Sequence, residues 1–163
     1  MRADARRNYD RLVATAREVF AEEGPDASLN EVAGRAGVGP GTLYRHFPTR
    51  EALLVAVFRE RIQSLCAQAR EEDATLAGWL RAFLVHARTD GGLSTAMASS
   101  PDAGFDCQTL LRSAASELLE RAKQTGQARA DLEVDDLFQL VTGLAQVPRA
   151  SRLLTLALEG FAR

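Results

Sequence analysis

The feature that most constrains this chain is where its helix breakers fall. Across residues 24–48, the breaks fall at Gly24-Pro25, Gly37, Gly39-Pro40 and Pro48, with Gly34 and Gly41 lying between them, which leaves room only for helices of roughly two to three turns. Upstream, Leu12, Ala16, Val19 and Phe20 recur at helical spacing, so a first helix spans residues 4–23 and stops at Gly24-Pro25. In "SLNEVAGRAG" the pair Ser28 and Glu31 reads as a capping box that opens a short second helix, buries Leu29, Val32, Ala33 and Ala36, and ends at Gly37. Val38 then plugs a turn. Gly39 is an acceptable N-cap and Pro40 suits the first helical position, where its missing N–H costs nothing. A third helix therefore covers residues 40–46, and Pro48 ends it. Two short helices about a three-residue, glycine-containing turn make the helix-turn-helix pattern.

The rest of the chain is helical by the same reasoning. A fourth helix over residues 49–70 carries two apolar stripes, Leu53 with Val57 and Leu54 with Phe58, Ile62, Leu65 and Ala69. Two stripes suit a connector packed against an N-terminal and a C-terminal lobe; one continuous core is the alternative. "DATLAGWLRAFLVHART" places Leu76, Trp79, Leu80, Phe83 and Leu84 on one arc of a fifth helix. Residues 91–104 are loop-rich with room for one short helix, and three more helices cover 105–124, 134–147 and 150–162. No run alternates as a strand does and no internal repeat occurs. The expected fold is all-α, with a helix-turn-helix lobe over residues 1–48 and a helical lobe over 49–163.

Composition narrows the function. The chain has 163 residues, 46% of them hydrophobic, and no apolar run approaches the ~20 residues of a membrane span. The N-terminal arginines are followed by no apolar segment of the secretory kind, so a cytoplasmic protein is expected. Cys66 and Cys107 lack the spacing of metal ligands or of a disulfide scaffold. No metal, cofactor or catalytic residue is expected: His46 and His86 are the only histidines, and no nucleophile has a base partner at local spacing. "GVGPGT" mimics part of a phosphate-binding loop, but neither a following GK[ST] nor a preceding strand supports it. Net charge is -2, yet its distribution matters more. Between Arg35 and Arg50 lie Arg35, Arg45, Arg50 and His46 with no acid, which reads as a local basic patch.

On the third helix Leu43 and Phe47 point inward, which distributes Thr42, Tyr44, Arg45 and His46 over the outer surface. Arginine pairs in bidentate fashion with guanine, threonine reaches phosphate or a thymine methyl, and tyrosine and histidine reach phosphates from the flanks. Glycines allow close backbone approach. The segment is expected to enter a major groove. Through "SLNEVAGRAGVGPGTLYRHFPTREALL" the chain closely resembles the tetracycline-repressor (TetR) family of bacterial regulators, and more weakly through "GQARADLEVDDLFQLVTGLA" and "RLLTLALEGFAR". The resemblance implies that Thr42, Tyr44 and His46 hold phosphates or bases, Arg45 faces base edges, and the Thr49-Arg50 corner touches backbone. The candidate DNA-binding set is Ser28, Gly39, Pro40, Gly41, Thr42, Tyr44, Arg45, His46, Thr49 and Arg50. Gly39 departs from the Ser or Thr frequent in the family, and the brief link "QVPRAS" is a second departure.

The last helix carries apolar residues over an arc of about 200°, well beyond a one-faced stripe, so it must bury two faces. With its predecessor it fits half of an intermolecular four-helix bundle, which makes Leu137, Leu140, Val141, Leu144, Leu153, Leu154, Leu158 and Phe161 the candidate interface of a homodimer. Trp79, Phe83 and His86 lie near one another on the fifth helix, and with Cys107, Leu111 and Phe138 they form the candidate pocket for a small-molecule effector. His86 also reads as a histidine satisfied at a helix border. The expected function is a DNA-binding regulator, a ligand-released repressor on a pseudo-palindromic operator. A helical ligand-binding or adaptor protein without DNA binding is the alternative, and an enzyme the third class.

Overall fold

The computed structural model describes residues 2–24, 26–89 and 107–161. Among them are eight helices and no strand: α1 (Arg2–Glu23), α2 (Leu29–Arg35), α3 (Pro40–His46), α4 (Arg50–Arg70), α5 (Leu76–Thr89), α6 (Cys107–Gln124), α7 (Val134–Ala145) and α8 (Ala150–Phe161). The expected short helix within 91–104 lies outside the described residues. The chain divides into two compact units, Met1–Glu60 and Arg61–Arg163.

The first unit closes over one apolar cluster. Leu12, Ala16 and Val19 from α1, Val32 and Ala33 from α2, Leu43 from α3, and Leu53 from α4 are all fully buried in it. The α2–α3 turn is held by backbone bonds: Gly37 donates to the Gly34 carbonyl (3.1 Å) and Val38 to that of Ala33 (3.0 Å). That pair of bonds is a Schellman motif, and it needs a left-handed residue at Gly37, whose φ is 66°. Val38 packs half-buried on the same cluster, as the plug reading requires. From α1, Arg11 Nη2 donates to the Ala36 carbonyl at 2.8 Å, which ties the first helix to the end of the second.

The capping box expected at Ser28 and Glu31 does not form. Ser28 is the N-cap in extended conformation but makes no side-chain cap bond; its carbonyl accepts from Glu31 and Val32 instead. The Glu31 carboxylate turns to Arg35 one turn on, at 2.7 Å, since a charged partner outbids a neutral amide.

The two stripes of α4 also resolve differently. Leu54 packs against the same cluster as Leu53 and Val57, whereas Ile62, Leu65 and Ala69 are buried in the second unit. The helix changes partners along its length, not around its circumference. In the second unit Trp79 Nε1 donates to the Leu65 carbonyl at 2.9 Å, Arg121 donates to the carbonyls of Ala69, in the last turn of α4, and of Glu71 just beyond it, and Arg70 pairs with Glu117 at 3.3 Å. The α7–α8 link is tight because Arg149 adopts a left-handed φ of 60°, which any residue but glycine adopts at some cost, and its carbonyl then starts α8 by accepting from Arg152 and Leu153.

Candidate nucleic-acid interface

Helix α3 is pinned from beneath and open above. Gly39 caps it in extended conformation (φ −72°, ψ 152°) without a side-chain bond, and Pro40 occupies its first turn. Thr42 and Leu43 donate to the Gly39 carbonyl at 2.9 and 3.2 Å. The buried side chains of Leu43 and Phe47 fix its roll, and Phe47 N–H closes the far end on the Leu43 carbonyl at 2.8 Å. What remains outward is Tyr44, 47% exposed, with Arg45 exposed and Thr42 and His46 half-buried. Gly39, Pro40 and Gly41 are exposed at the start of the helix.

Arg45 lies back along its own helix, with Nε donating to the Gly41 carbonyl at 3.3 Å. His46 meets the ring of Tyr9 edge-on, at 6.1 Å and 73°, and Tyr9 in turn packs on Phe47 at 5.0 Å. Arg6 lies over the outer face of Tyr9. The orientation of the His46 ring is thus set from α1, where aromatic edge-to-face contact and burial act together. Tyr9 is absent from the sequence-based site. Its signal was available, since Tyr9, Leu12, Val13 and Ala16 share one helical stripe.

Three candidates serve the fold rather than, or as well as, the open face. Thr49 is exposed, but its Oγ1 accepts from Ala52 N–H at 3.2 Å and so caps α4. Arg50 is half-buried, with Nη1 donating to the Ala27 carbonyl at 2.6 Å. Ser28 is exposed. Arg35 does not belong to the basic patch: it is held by Glu22 (2.7 Å), Glu23 (3.3 Å) and Glu31 (2.7 Å). Those hydrogen bonds push the guanidinium pKa further up. Partial desolvation at the surface, with Glu31 beside it, pushes the Glu23 carboxyl above its usual range. One cation among three carboxylates is an acidic surface, and the basic run narrows to Arg45, His46 and Arg50, whose guanidinium keeps its charge while it donates to the Ala27 carbonyl.

In the second unit the effector candidates are partly core. Trp79 and Phe83 are buried and stack at 5.4 Å; Phe83 meets Phe138 at 5.1 Å. Arg112 covers the Phe138 ring at 5.2 Å and pairs with Asp135. Leu111 is buried, and His86 is half-buried on α5; the Cys107 side chain lies outside the described residues. A cleft of ≈ 410 Å³ is lined by Arg129, Asp131, Leu132, Asp136, Ala157 and Gly160, none of them in the expected pocket. Its charges are engaged: Arg129 makes two bonds to Asp131, at 2.9 and 2.6 Å, and Asp136 accepts from the Glu133 N–H at 2.9 Å.

The interface candidates split as well. Leu137, Val141 and Leu154 are fully buried within the single chain, on the inward face of α7 and α8. Leu140, Leu144 and Leu158 are half-buried, and Leu153 is 40% exposed. Leu156, which was not among the candidates, is 53% exposed. The Phe161 side chain lies outside the described residues.

Comparison with known proteins bears on both units. Residues 12–57 match the profile of the bacterial regulatory proteins of the tetR family, and residues 71–163 that of the SbtR-like transcriptional regulator C-terminal domain. A TetR transcriptional regulator from Streptomyces coelicolor is 37% identical, with a TM-score of 0.76 over 94% of this chain and 97% of that one. A TetR transcription regulatory protein from Mycobacterium vanbaalenii is 33% identical, with a TM-score of 0.70 over 98% of each. The HTH-type transcriptional regulator UidR of Escherichia coli is 35% identical over 72 residues, a match that spans 44% of this chain and only 37% of that relative's length. Among the described residues no helix is long and apolar enough to cross a membrane.

Proposed function

This chain belongs to the tetR family of bacterial regulatory proteins, and from that premise we propose that it binds a pseudo-palindromic operator as a homodimer and represses transcription until a small molecule releases it. The observation that carries the proposal is the outer face of α3, where Thr42, Tyr44, Arg45 and His46 stand on a helix whose roll is fixed by the buried Leu43 and Phe47. In this reading residues 1–48 bind DNA and residues 49–163 bind the effector and the second copy. Tyr44 and His46 hold phosphates, Arg45 swings off the Gly41 carbonyl to a guanine edge, and Ser28, Gly39, Pro40, Gly41, Thr42, Thr49 and Arg50 frame the approach.

Dimerisation runs through the outward residues of α7 and α8, Leu140, Leu144, Leu153, Leu156 and Leu158, and sets two α3 helices at major grooves one turn or a multiple apart. The effector is an apolar compound that enters beside the Trp79–Phe83–Phe138 ring series with His86 as polar handle. It must prefer the state that does not bind DNA, since a ligand indifferent to the two states shifts nothing. Selection from a random duplex library tests the proposal. The recovered site should be two-fold symmetric, with affinity falling steeply as salt rises because phosphate contacts release counterions. Arg45→Ala should cost ~1–3 kcal/mol and relax base choice at one position per half-site. Unchanged binding by the Arg45→Ala, Tyr44→Ala double variant would remove α3 as the reading helix.

A further inference from the structure

Four of the nine glycines with described surroundings have a steric or conformational reason inside the fold. Gly24, Gly37 and Gly126 hold φ values of 89°, 66° and 71°, and a Cβ on Gly78 would stand 2.9 Å from Thr75 Oγ1. Neither reason applies to Gly34, Gly39, Gly143 and Gly160, nor to Gly41. It sits within α3 in ordinary helical conformation, exposed, and a Cβ built on it meets nothing within 4 Å. Glycine inside a helix is destabilising relative to alanine, and α3 has only seven residues over which to offset that cost. Gly39 is different, because it stands outside the helix at the N-cap, where glycine carries little penalty.

Gly41 lies one turn before Arg45, on the same face of α3, and its carbonyl holds the Arg45 Nε. Residues four apart on a helix are neighbours, with side chains leaning toward its start. Any side chain at 41 would stand on the path by which the Arg45 face meets another molecule. We infer that Gly41 is a specificity-determining residue: it leaves bare backbone in front of Arg45, so that this face of α3 seats close enough to the groove floor for the guanidinium to reach a base edge. The inference rests on α3 being the DNA-facing helix, and it adds that a position with no side chain sets the depth of seating. Gly34 supplies an internal control. It too is a helical, exposed glycine whose Cβ would meet nothing within 4 Å, but it adjoins Arg35 and that residue's carboxylate partners Glu22, Glu23 and Glu31, surroundings that repel a phosphate backbone.

The test titrates the duplex recovered by selection with the unaltered chain and with Gly41→Ala, Gly41→Leu and Gly34→Ala, and melts each protein thermally. All three variants should melt at or above the temperature of the unaltered chain, because alanine and leucine are better helix formers than glycine. Gly34→Ala should bind as before. Gly41→Ala should bind more weakly, and Gly41→Leu more weakly by roughly tenfold or more, with base preference relaxed at the position that Arg45→Ala relaxes. A Gly41→Leu protein that is stable and binds with unaltered affinity would overturn the inference, as would variants at 41 that melt lower, because glycine would then be serving the fold. An unaltered chain that selects no duplex removes the DNA-binding reading and the inference with it. That failure shows in the unaltered protein, so it is distinguishable from one at Gly41.

Discussion

The two compact units differ in what they leave uncovered. Of the large hydrophobic side chains exposed among the described residues, the first unit contributes Tyr44, whose hydroxyl suits it to a wet, polar partner, while the second contributes Val85, Leu110, Val147, Leu153 and Leu156, all aliphatic. The first unit has closed its core around α1, α2 and α3 and, among the described residues, exposes no large aliphatic side chain. The second has closed a core too, with Leu137, Val141 and Leu154 fully buried, yet α8 still carries leucines on its other side. An aliphatic surface gains only by burial against another apolar surface. The two units of the same chain thus differ in the apolar surface they leave exposed, which is the surface the proposed dimer would bury.

The contrast would break first at Leu154. If its place is the core, Leu154→Ala should destabilise the protein by ~2–5 kcal/mol, read as a lower midpoint in thermal or denaturant unfolding; a surface-sized change would return Leu154 to the interface. Next in size, Leu153→Glu with Leu156→Glu puts charge on exposed positions only. Sedimentation should then shift from dimer to monomer with helical content retained, and operator binding should fall although no DNA-facing residue has changed. A dimeric mass for that double variant would mean that the second unit associates elsewhere or not through α8.

The smallest effect is electrostatic and has opposite signs in the two units. In the second, hydrogen bonding to Arg70 holds the Glu117 carboxyl below its usual range, and Arg129 does the same for Asp131. A depressed folded value gives stability that is present above the unfolded value and lost as pH falls through the folded one. In the first unit the Glu23 carboxyl is raised, so the folded form binds its proton more readily than the unfolded form, and this group contributes stability as pH falls through its raised value. Hydrogen exchange followed from neutral pH into the carboxylate range should show protection declining earlier in residues 61–163 than in 1–60. These groups are exposed and screened, so added salt should flatten both trends. Equal decline in both units would refute the assignment.

Local chemistry made the first unit legible. Pro40 and Pro48 bracket α3 because a missing N–H is harmless at a helix start and ring sterics disfavour continuation, and the structure places α3 at Pro40–His46 as that argument requires. Gly37 was legible because one left-handed residue ends α2. Where the reading failed, a longer-range partner competed with a local one. Ser28 and Glu31 have the spacing of a capping box, but Arg35 engages the carboxylate. Arg35 itself seemed to belong to a basic run until helix packing brought Glu22 and Glu23 to it. The hold of Arg11 on the Ala36 carbonyl, 25 residues away, leaves no trace in local spacing.

Element types, the breaks between them and the inward residues of α3 are legible along the chain, because periodicity and the backbone limits of glycine and proline act within a few residues. The sequence also determined that α8 has more apolar arc than one face can use. Which part of that arc serves the chain's own core was decided only by the tertiary structure, which buries Leu154 and leaves Leu153 and Leu156 outside. Neighbouring leucines look alike in sequence, and packing against α5 and α7 is what makes them different. The same holds for charge: whether an arginine is free to meet a phosphate depends on which carboxylates folding brings to it, and that is a property of helices meeting, not of the segment in which the arginine is written.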